Sequence, residues 1–334
     1  MAETPATSAG NRGRFRLDIQ VLGPIVALVV LVVIGALLNP DFLAARNIVN
    51  VLSRSAFIGI IAVGMTFVIT AGGLDLSVGS MTAFIAGVMI LIMNALIPAI
   101  GTSWGVIVLG AGAGLMLGAL LGALNGLLIT RMGIEAFIVT LGSMVIFRSL
   151  VTWLADGGTI SLNFALGGLY EPVYYGGLFG IRWPILVFAL VAVLGEIAMR
   201  STAFGRHCAA IGSNEQVARY SAVHVNRVRM MTYVVLGLLV GLASVLYVPR
   251  LGSASNTTGL LWELETIAAV IIGGTLLKGG FGRVWGTVVG VLILGLIDNI
   301  LNLTDLVSPY LNGAIQGVII ILAVVLQRAR KPAR

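Results

Sequence analysis

The stretch Thr70 to Ser80, TAGGLDLSVGS, sets two glycines and a carboxylate between two long apolar runs. Ala56 to Ala71 precedes it and Val78 to Ile100 follows. Each run approaches the roughly 20 residues a helix needs to cross a bilayer core. The polar island is therefore read as a turn between two membrane helices. Gly72 and Gly73 let the backbone reverse, and Asp75 or Ser77 is placed to cap the helix that begins near Val78.

Working outward, the same pattern fills the chain. Of 334 residues, 58% are hydrophobic and 10% are charged, against about a quarter charged in soluble domains. The expectation is an all-α polytopic membrane protein with about ten transmembrane helices. The candidate spans are Val21 to Leu38, Ala56 to Ala71, Val78 to Ile100, Gly105 to Ile129, Ala136 to Leu154, Trp183 to Met199, Thr232 to Val248, Thr266 to Leu277, Val284 to Leu303 and Leu311 to Leu326. The alternation of a membrane barrel is absent. The first run is long for a signal peptide and lacks a small-residue cleavage site, so it is kept as a span.

Basic residues orient the bundle, because Lys and Arg collect in cytoplasmic loops. With both termini cytoplasmic, the inner segments hold fifteen, including Arg131, Arg200, Arg206, Arg219, Arg227, Arg229, Lys278 and Arg283. The outer loops hold Arg46, Arg54, Arg182 and Arg250. This asymmetry accounts for the net charge of +7 without nucleic acid as a partner. Arg148, inside the fifth span, is read as snorkelling to the outer interface rather than touching substrate. The expected organisation is a tail over 1–20, a transmembrane domain over 21–327 and a tail over 328–334. Within the domain lie an outer loop at 155–182 and an inner loop at 200–231.

The outer loop carries Tyr170, Tyr174 and Tyr175, suited equally to a docking partner and to anchoring at the interface. In the inner loop, Ser213 followed by Gln216 has the spacing of a capping box, with Gly212 as a hinge before it. The short helix so started places Val217, Tyr220 and Ser221 on one face and pairs Glu215 with Arg219 at i,i+4. Such a helix can receive a push from a soluble motor or lie along headgroups. Cys208, His207 and His224 lack a metal-ligand spacing, so no metal site is expected. No phosphate-binding loop of the motor type is present, since GGTLLKGG at Gly273 to Gly280 shares only its glycines with that motif. The spans offer almost no carboxylates for coupling ions, which weighs against a secondary carrier. A secondary carrier or a passive channel is the alternative to a pore powered by a partner.

Four stretches resemble one family. They are GMTFVITAGGLDLSVGSMTAF, ALNGLLITRMGIEAFIVTLGSMVIFRSL, AAIGSNEQVARYSAVHVNRVRMMTYV and ELETIAAVIIGGTLLKGGFGRVWGTVVGVLILGLI. In register over Asn47 to Gln327, they are similar to the permease subunits of bacterial monosaccharide ABC importers, the ribose, xylose, arabinose and galactofuranose group. Leu74 and Ser149 depart from the family's usual residues. The resemblance implies a non-catalytic inner-membrane permease paired with a second copy or a paralogue. Two ABC ATPase subunits would bind ATP and Mg inside, with no cofactor in this chain, and a periplasmic sugar-binding protein would deliver the sugar outside. It also implies that Gly212, Ser213, Asn214, Glu215, Gln216, Ala218, Arg219, Tyr220 and Ser221 form the coupling region. For the pathway or gate the candidates are Gly72, Gly73, Asp75, Ser77, Ser80, Thr82, Asn125, Thr140, Ser143 and Asn299. Their hydroxyls and amides fit a neutral sugar, and they fit interhelical hydrogen bonds equally well.

Overall fold

The computed structural model describes residues 19–304, together with 311, 313–315, 317, 318, 321 and 325. Among the described residues, seven helices are long and apolar enough to cross a membrane. They are α2 (Ala45–Thr70), α3 (Val78–Ile100), α4 (Trp104–Arg131), α5 (Ala136–Leu154), α8 (Trp183–Ser201), α11 (Val225–Leu251) and α13 (Val284–Thr304). Ahead of them α1 (Ile19–Leu38) has an apolar stretch of Gly23–Leu38 and joins α2 through a 3-10 turn, Pro40–Leu43. The tenth expected span, Leu311 to Leu326, lies largely outside the described residues.

The eighth expected span, Thr266 to Leu277, does not form as one helix. Its place is taken by α12 (Trp262–Ile272), whose 11 residues reach about 16 Å, half of a bilayer core. The helix stops because Gly273 sits against the backbone of Gly286, and Gly274 follows with φ of 91°. Before it, the chain leaves α11 at the left-handed Gly252 and forms strand β4 (Ser253–Ser255), antiparallel to β1 (Thr159–Ser161). Residues 256–261 then run to the first turn of α3, where a side chain at Gly79 would strike the Gly259 carbonyl. The segment 252–272 is thus strand and turns in its first half and helix in its second. Non-helical backbone is tolerated at membrane depth only when other protein covers it and satisfies its polar groups.

The remaining elements are short. Helices α6 (Phe164–Tyr170) and α7 (Pro172–Tyr175) and the hairpin of β2 (Gly177–Leu178) with β3 (Ile181–Arg182) sit with β1 and β4 at one end of the bundle, here termed the strand end. At the opposite end, α9 (Ala203–Ser213) and α10 (Glu215–Tyr220) link α8 to α11. This is termed the junction end, since the 71–77 and 273–283 segments meet α9 there.

Helix α2 is the central post: every residue from Ser55 to Ala71 is buried. A helix apolar on all sides belongs inside the bundle. Beside it α4 and α11 pack backbone to backbone, with Gly118 and Gly122 against Gly237. Without side chains there, the helices approach closely enough to gain dispersion energy where the lipid supplies no hydrophobic drive. The glycine stripe of α4 is therefore consumed inside the chain.

Candidate functional site

At the strand end, α2, α11, α12, α13 and the segment before α8 surround a cavity of about 490 Å³. The four arginines Arg46, Arg54, Arg182 and Arg250 all line it, with Glu265, Asp298, Asn47, Asn50, Asn299 and Asn302. Arg182 donates to Asn50 Oδ1 at 3.0 Å and lies 5.6 Å from the ring centres of both Tyr174 and Tyr175. Asn47 and Asn299 exchange amide hydrogen bonds of 3.0 and 2.9 Å. Asn299 alone of the pathway candidates lines this cavity.

The other candidates lie deeper. Asp75 is 1% exposed, and its Oδ1 accepts from the Ser77 amide at 2.7 Å and the Ser77 hydroxyl at 2.6 Å. Asn125 of α4 donates to Asp75 Oδ2 at 3.3 Å and to the Ser77 hydroxyl at 3.1 Å. Ser143 of α5 donates to Asn125 Oδ1 at 2.6 Å, and Ser80 to the Ser77 carbonyl at 2.9 Å. One polar chain thus ties the start of α3 to α4 and α5. Ser77 occupies the position ahead of α3 without a side-chain cap bond, and Asp75 organises the turn instead. Thr82 and Thr140 bond to carbonyls in their own helices, at Val78 and Ala136. They are absorbed by local structure.

Two further carboxylates, Glu196 and Glu263, are buried within the bundle. Glu196 accepts from the amides of Val284 and Trp285 at 3.1 and 3.2 Å, so it caps the start of α13, and it also pairs with Arg200. Glu263 stands in the first turn of α12 against Gly79. Arg148 does not snorkel: its Nη1 donates to the carbonyls of Asn256 and Thr258 at 2.6 and 2.7 Å. The guanidinium thereby satisfies carbonyls of the turn segment 256–261 ahead of α12. Ser149, which follows it, is exposed.

At the junction end three glycine segments meet. A Cβ on Gly279 would stand 3.0 Å from the Cα atoms of both Gly72 and Gly212. Gly72 and Gly279 have φ of 78° and 86°, a region only glycine enters freely. The Gly280 amide donates to the Thr70 carbonyl at 2.9 Å. The end of α2, the end of α9 and the loop before α13 are locked main chain to main chain. Gly73 lies against the Tyr233 hydroxyl, which donates to the Leu74 carbonyl at 3.1 Å.

From this junction α10 projects. Asn214, not Ser213, is its cap: the Asn214 side chain accepts from the Val217 amide at 3.0 Å. Ser213 is the last residue of α9, and its hydroxyl reaches the Gly280 carbonyl at 3.5 Å. The capping-box spacing falls one residue early because Asn214 is the extended residue between the two helices. The Glu215–Arg219 pair forms at 2.6 Å, and Arg229 of α11 adds a second contact at 2.8 Å. Hydrogen bonds from Arg219 and then Arg229 hold the Glu215 carboxyl below its ordinary value of 4.5. Ala218 is buried with Ile211 and Val225, Gln216 and Ser221 are exposed, and Val217 and Tyr220 are 56% and 87% exposed. Cys208 is buried in α9, its thiol pushed up to about 12 by desolvation.

Apart from Asn299, the cavity residues were open to sequence reasoning and were missed. Asn47, Asn50 and Arg54 follow helical spacing on α2, as do Asn299 and Asn302 on α13. The arginines among them were counted only as markers of topology.

A bundle of apolar helices, with a polar cavity at one end and a main-chain lock at the other, has the build of a membrane permease. Residues 47–324 match the family described as branched-chain amino acid transport system / permease component, and the chain belongs to that family. It is 42% identical over 313 residues to the ribose import permease protein RbsC of Bacillus subtilis (strain 168), covering 93% of this chain and 94% of that one. The same-named protein of Escherichia coli (strain K12) is 34% identical over 329 residues, 98% of this chain and all of that one (100%). The xylose transport system permease protein XylH of that strain is 32% identical over 384 residues, covering 97% of this chain and 96% of that one. The chain is a multi-pass permease of the inner membrane.

Proposed function

We propose that this chain is the membrane-spanning subunit of an ATP-driven monosaccharide importer, with the strand end periplasmic and the junction end cytoplasmic. The chain crosses ten times in this reading, the eighth crossing being the broken segment 252–272, so both termini are cytoplasmic. A periplasmic sugar-binding protein delivers sugar to the strand-end cavity. ATPase subunits binding ATP and Mg dock on α10, and a second copy or a paralogous permease completes the assembly. The relatives' names favour a sugar over the amino acids of the family description.

The observation that carries the reading is the connection between α10 and the glycine junction. A force on the exposed face of Val217 and Tyr220 passes through the cap at Asn214 to Gly212, one residue from Ser213 at the Gly280 contact. Moving Gly212 strains the Thr70–Gly280 hydrogen bond and parts the three segments. Resealing them returns the cavity to the periplasm. The buried chain from Asp75 to Ser143 keeps α3, α4 and α5 together as one body during that motion.

The test is Glu215→Lys combined with Arg219→Glu, in the chain reconstituted with its ATPase and binding protein. The reversed pair also sets the introduced lysine against Arg229, so α10 loses its brace to α11. Sugar-stimulated ATP hydrolysis should fall at least about tenfold, or roughly 1.4 kcal/mol in barrier terms, with membrane insertion unchanged. Undiminished stimulation would remove α10 from the coupling path.

A further inference from the structure

The strand-end cavity is more cationic than a neutral sugar requires. Four guanidinium groups face it against the carboxylates of Glu265 and Asp298. Arg182 is already engaged by Asn50 and the two tyrosines. Arg46 and Arg54 have no hydrogen-bond or ion-pair partner among the described residues. Arg54 lies nine residues beyond the start of α2, about 13 Å along the helix. Both Arg46 and Arg54 are exposed, so their guanidinium groups are open to a ligand that enters the cavity. Beside it, the Ser55 hydroxyl lines the same cavity, is 5% exposed, and also lacks a partner among the described residues.

A recess whose lining carries an excess of positive charge concentrates anions. The fork of an arginine matches a carboxylate or phosphate through two parallel hydrogen bonds. The cavity volume, about 490 Å³, falls in the range of about 300–1,000 Å³ typical of small-molecule sites. Arg46 stands in the first turn of α2, whereas Arg54 lines the same cavity about two turns further along the helix, next to the buried Ser55.

Resting on the reading of this cavity as the entry to the pathway, we propose that its substrate is a monosaccharide bearing a carboxylate or phosphate. Arg54 is the residue that binds the anionic group, with the Ser55 hydroxyl alongside. The asparagines of α2 and α13 then face the sugar hydroxyls.

The experiment uses the full chain in lipid nanodiscs with Asp298→Cys as a reporter in the cavity. Its labelling is followed with a negatively charged sulfonatoethyl and a positively charged trimethylammonioethyl thiosulfonate, with and without D-glucuronate, D-glucose 6-phosphate or D-glucose. The anionic reagent should react about tenfold faster, the scale of electrostatic focusing in a charged cleft, and Arg54→Gln should remove most of that preference. One of the two anionic sugars should protect the thiol at a concentration at least about tenfold below that of glucose, a gap of about 1.4 kcal/mol. Whichever protects distinguishes carboxylate from phosphate, and Arg54→Gln should erase the gap while Arg54→Lys keeps part of it. Equal protection by all three sugars overturns the anionic assignment and leaves the pathway reading standing. Protection by none overturns both.

Discussion

The two ends of this molecule are held by opposite means. At the strand end, charged side chains line an open recess, with Arg54 and Arg46 facing space rather than each other's partners. At the junction end Gly72, Gly212 and Gly279 meet through their backbones. Repelling guanidinium groups surrounded by water favour a cavity that stays open. Glycines permit a seal tight enough for main-chain hydrogen bonding, yet they add little side-chain packing to break when a rigid helix is pulled away. A receptor made of charge and a closure made of backbone suit the two halves of an alternating pathway.

The sharpest way to break this contrast is to put a side chain into the backbone contact. In Gly212→Val the new atoms would collide with the Thr70 carbonyl and the Gly280 amide. Displacing that hydrogen bond costs about 1–3 kcal/mol and overpacking adds about as much again. Uptake in proteoliposomes should fall below detection while Gly142→Ala, at a helical glycine with open space around it, keeps most of its activity. Normal uptake by Gly212→Val would mean that the junction does not close the path.

A smaller loss is expected from the polar chain between the ends. Asn125→Leu takes a donor from Asp75 and the acceptor from Ser143, at a cost of about 3 kcal/mol. Thermal unfolding in detergent should show a clear drop in midpoint, and Asn125→Gln should recover little because the longer amide misplaces both bonds. An unchanged midpoint in Asn125→Leu would make these residues pathway groups hydrated in the resting state.

Arg148→Met tests the broken crossing. It removes both bonds to the Asn256 and Thr258 carbonyls, for a loss of about 2 kcal/mol. An arginine that merely snorkelled would change stability by no more than about 0.5 kcal/mol, as surface substitutions do. Limited proteolysis in the 252–261 segment, faster in the variant, localises the effect.

The smallest effect belongs to Glu215. Its side chain is 38% exposed, so screening holds the clamp to Arg219 and Arg229 to about 1 kcal/mol or less. Because its pKa is lowered on folding, the contribution is present above the ordinary carboxylate value of 4.5 and fades as pH falls through the lower folded value. Glu215→Gln should therefore unfold slightly earlier than the native chain at neutral pH, and the difference should shrink as pH falls below 4.5.

Much of this architecture was legible because membrane helices announce themselves by length and composition. Seven of the expected runs coincide with the seven long apolar helices. The run Thr266 to Leu277 misled because hydropathy continues through Gly273, whereas the helix is ended by contact with Gly286 on another element. Helix α10 was readable from local chemistry, including its i,i+4 pair. Its true cap was not, since the backbone extension at Asn214 is decided by how α9 ends. Arg148 was misread for a related reason: its partners lie 108 and 110 residues further along the chain. The buried hydroxyls and amides were correctly singled out as polar groups in apolar spans, but most of them serve each other rather than the cavity.

Labelling of Asp298→Cys from one side of the membrane tests the central assignment most directly. The native Cys208 is buried, so it adds little background. In intact cells with the outer membrane permeabilised, a membrane-impermeant maleimide added outside should label the introduced thiol, and the same reagent added to the exterior of inverted vesicles should not. Labelling only from the cytoplasmic face would contradict the account, because the charged cavity would then open beside the ATPase rather than toward the incoming sugar.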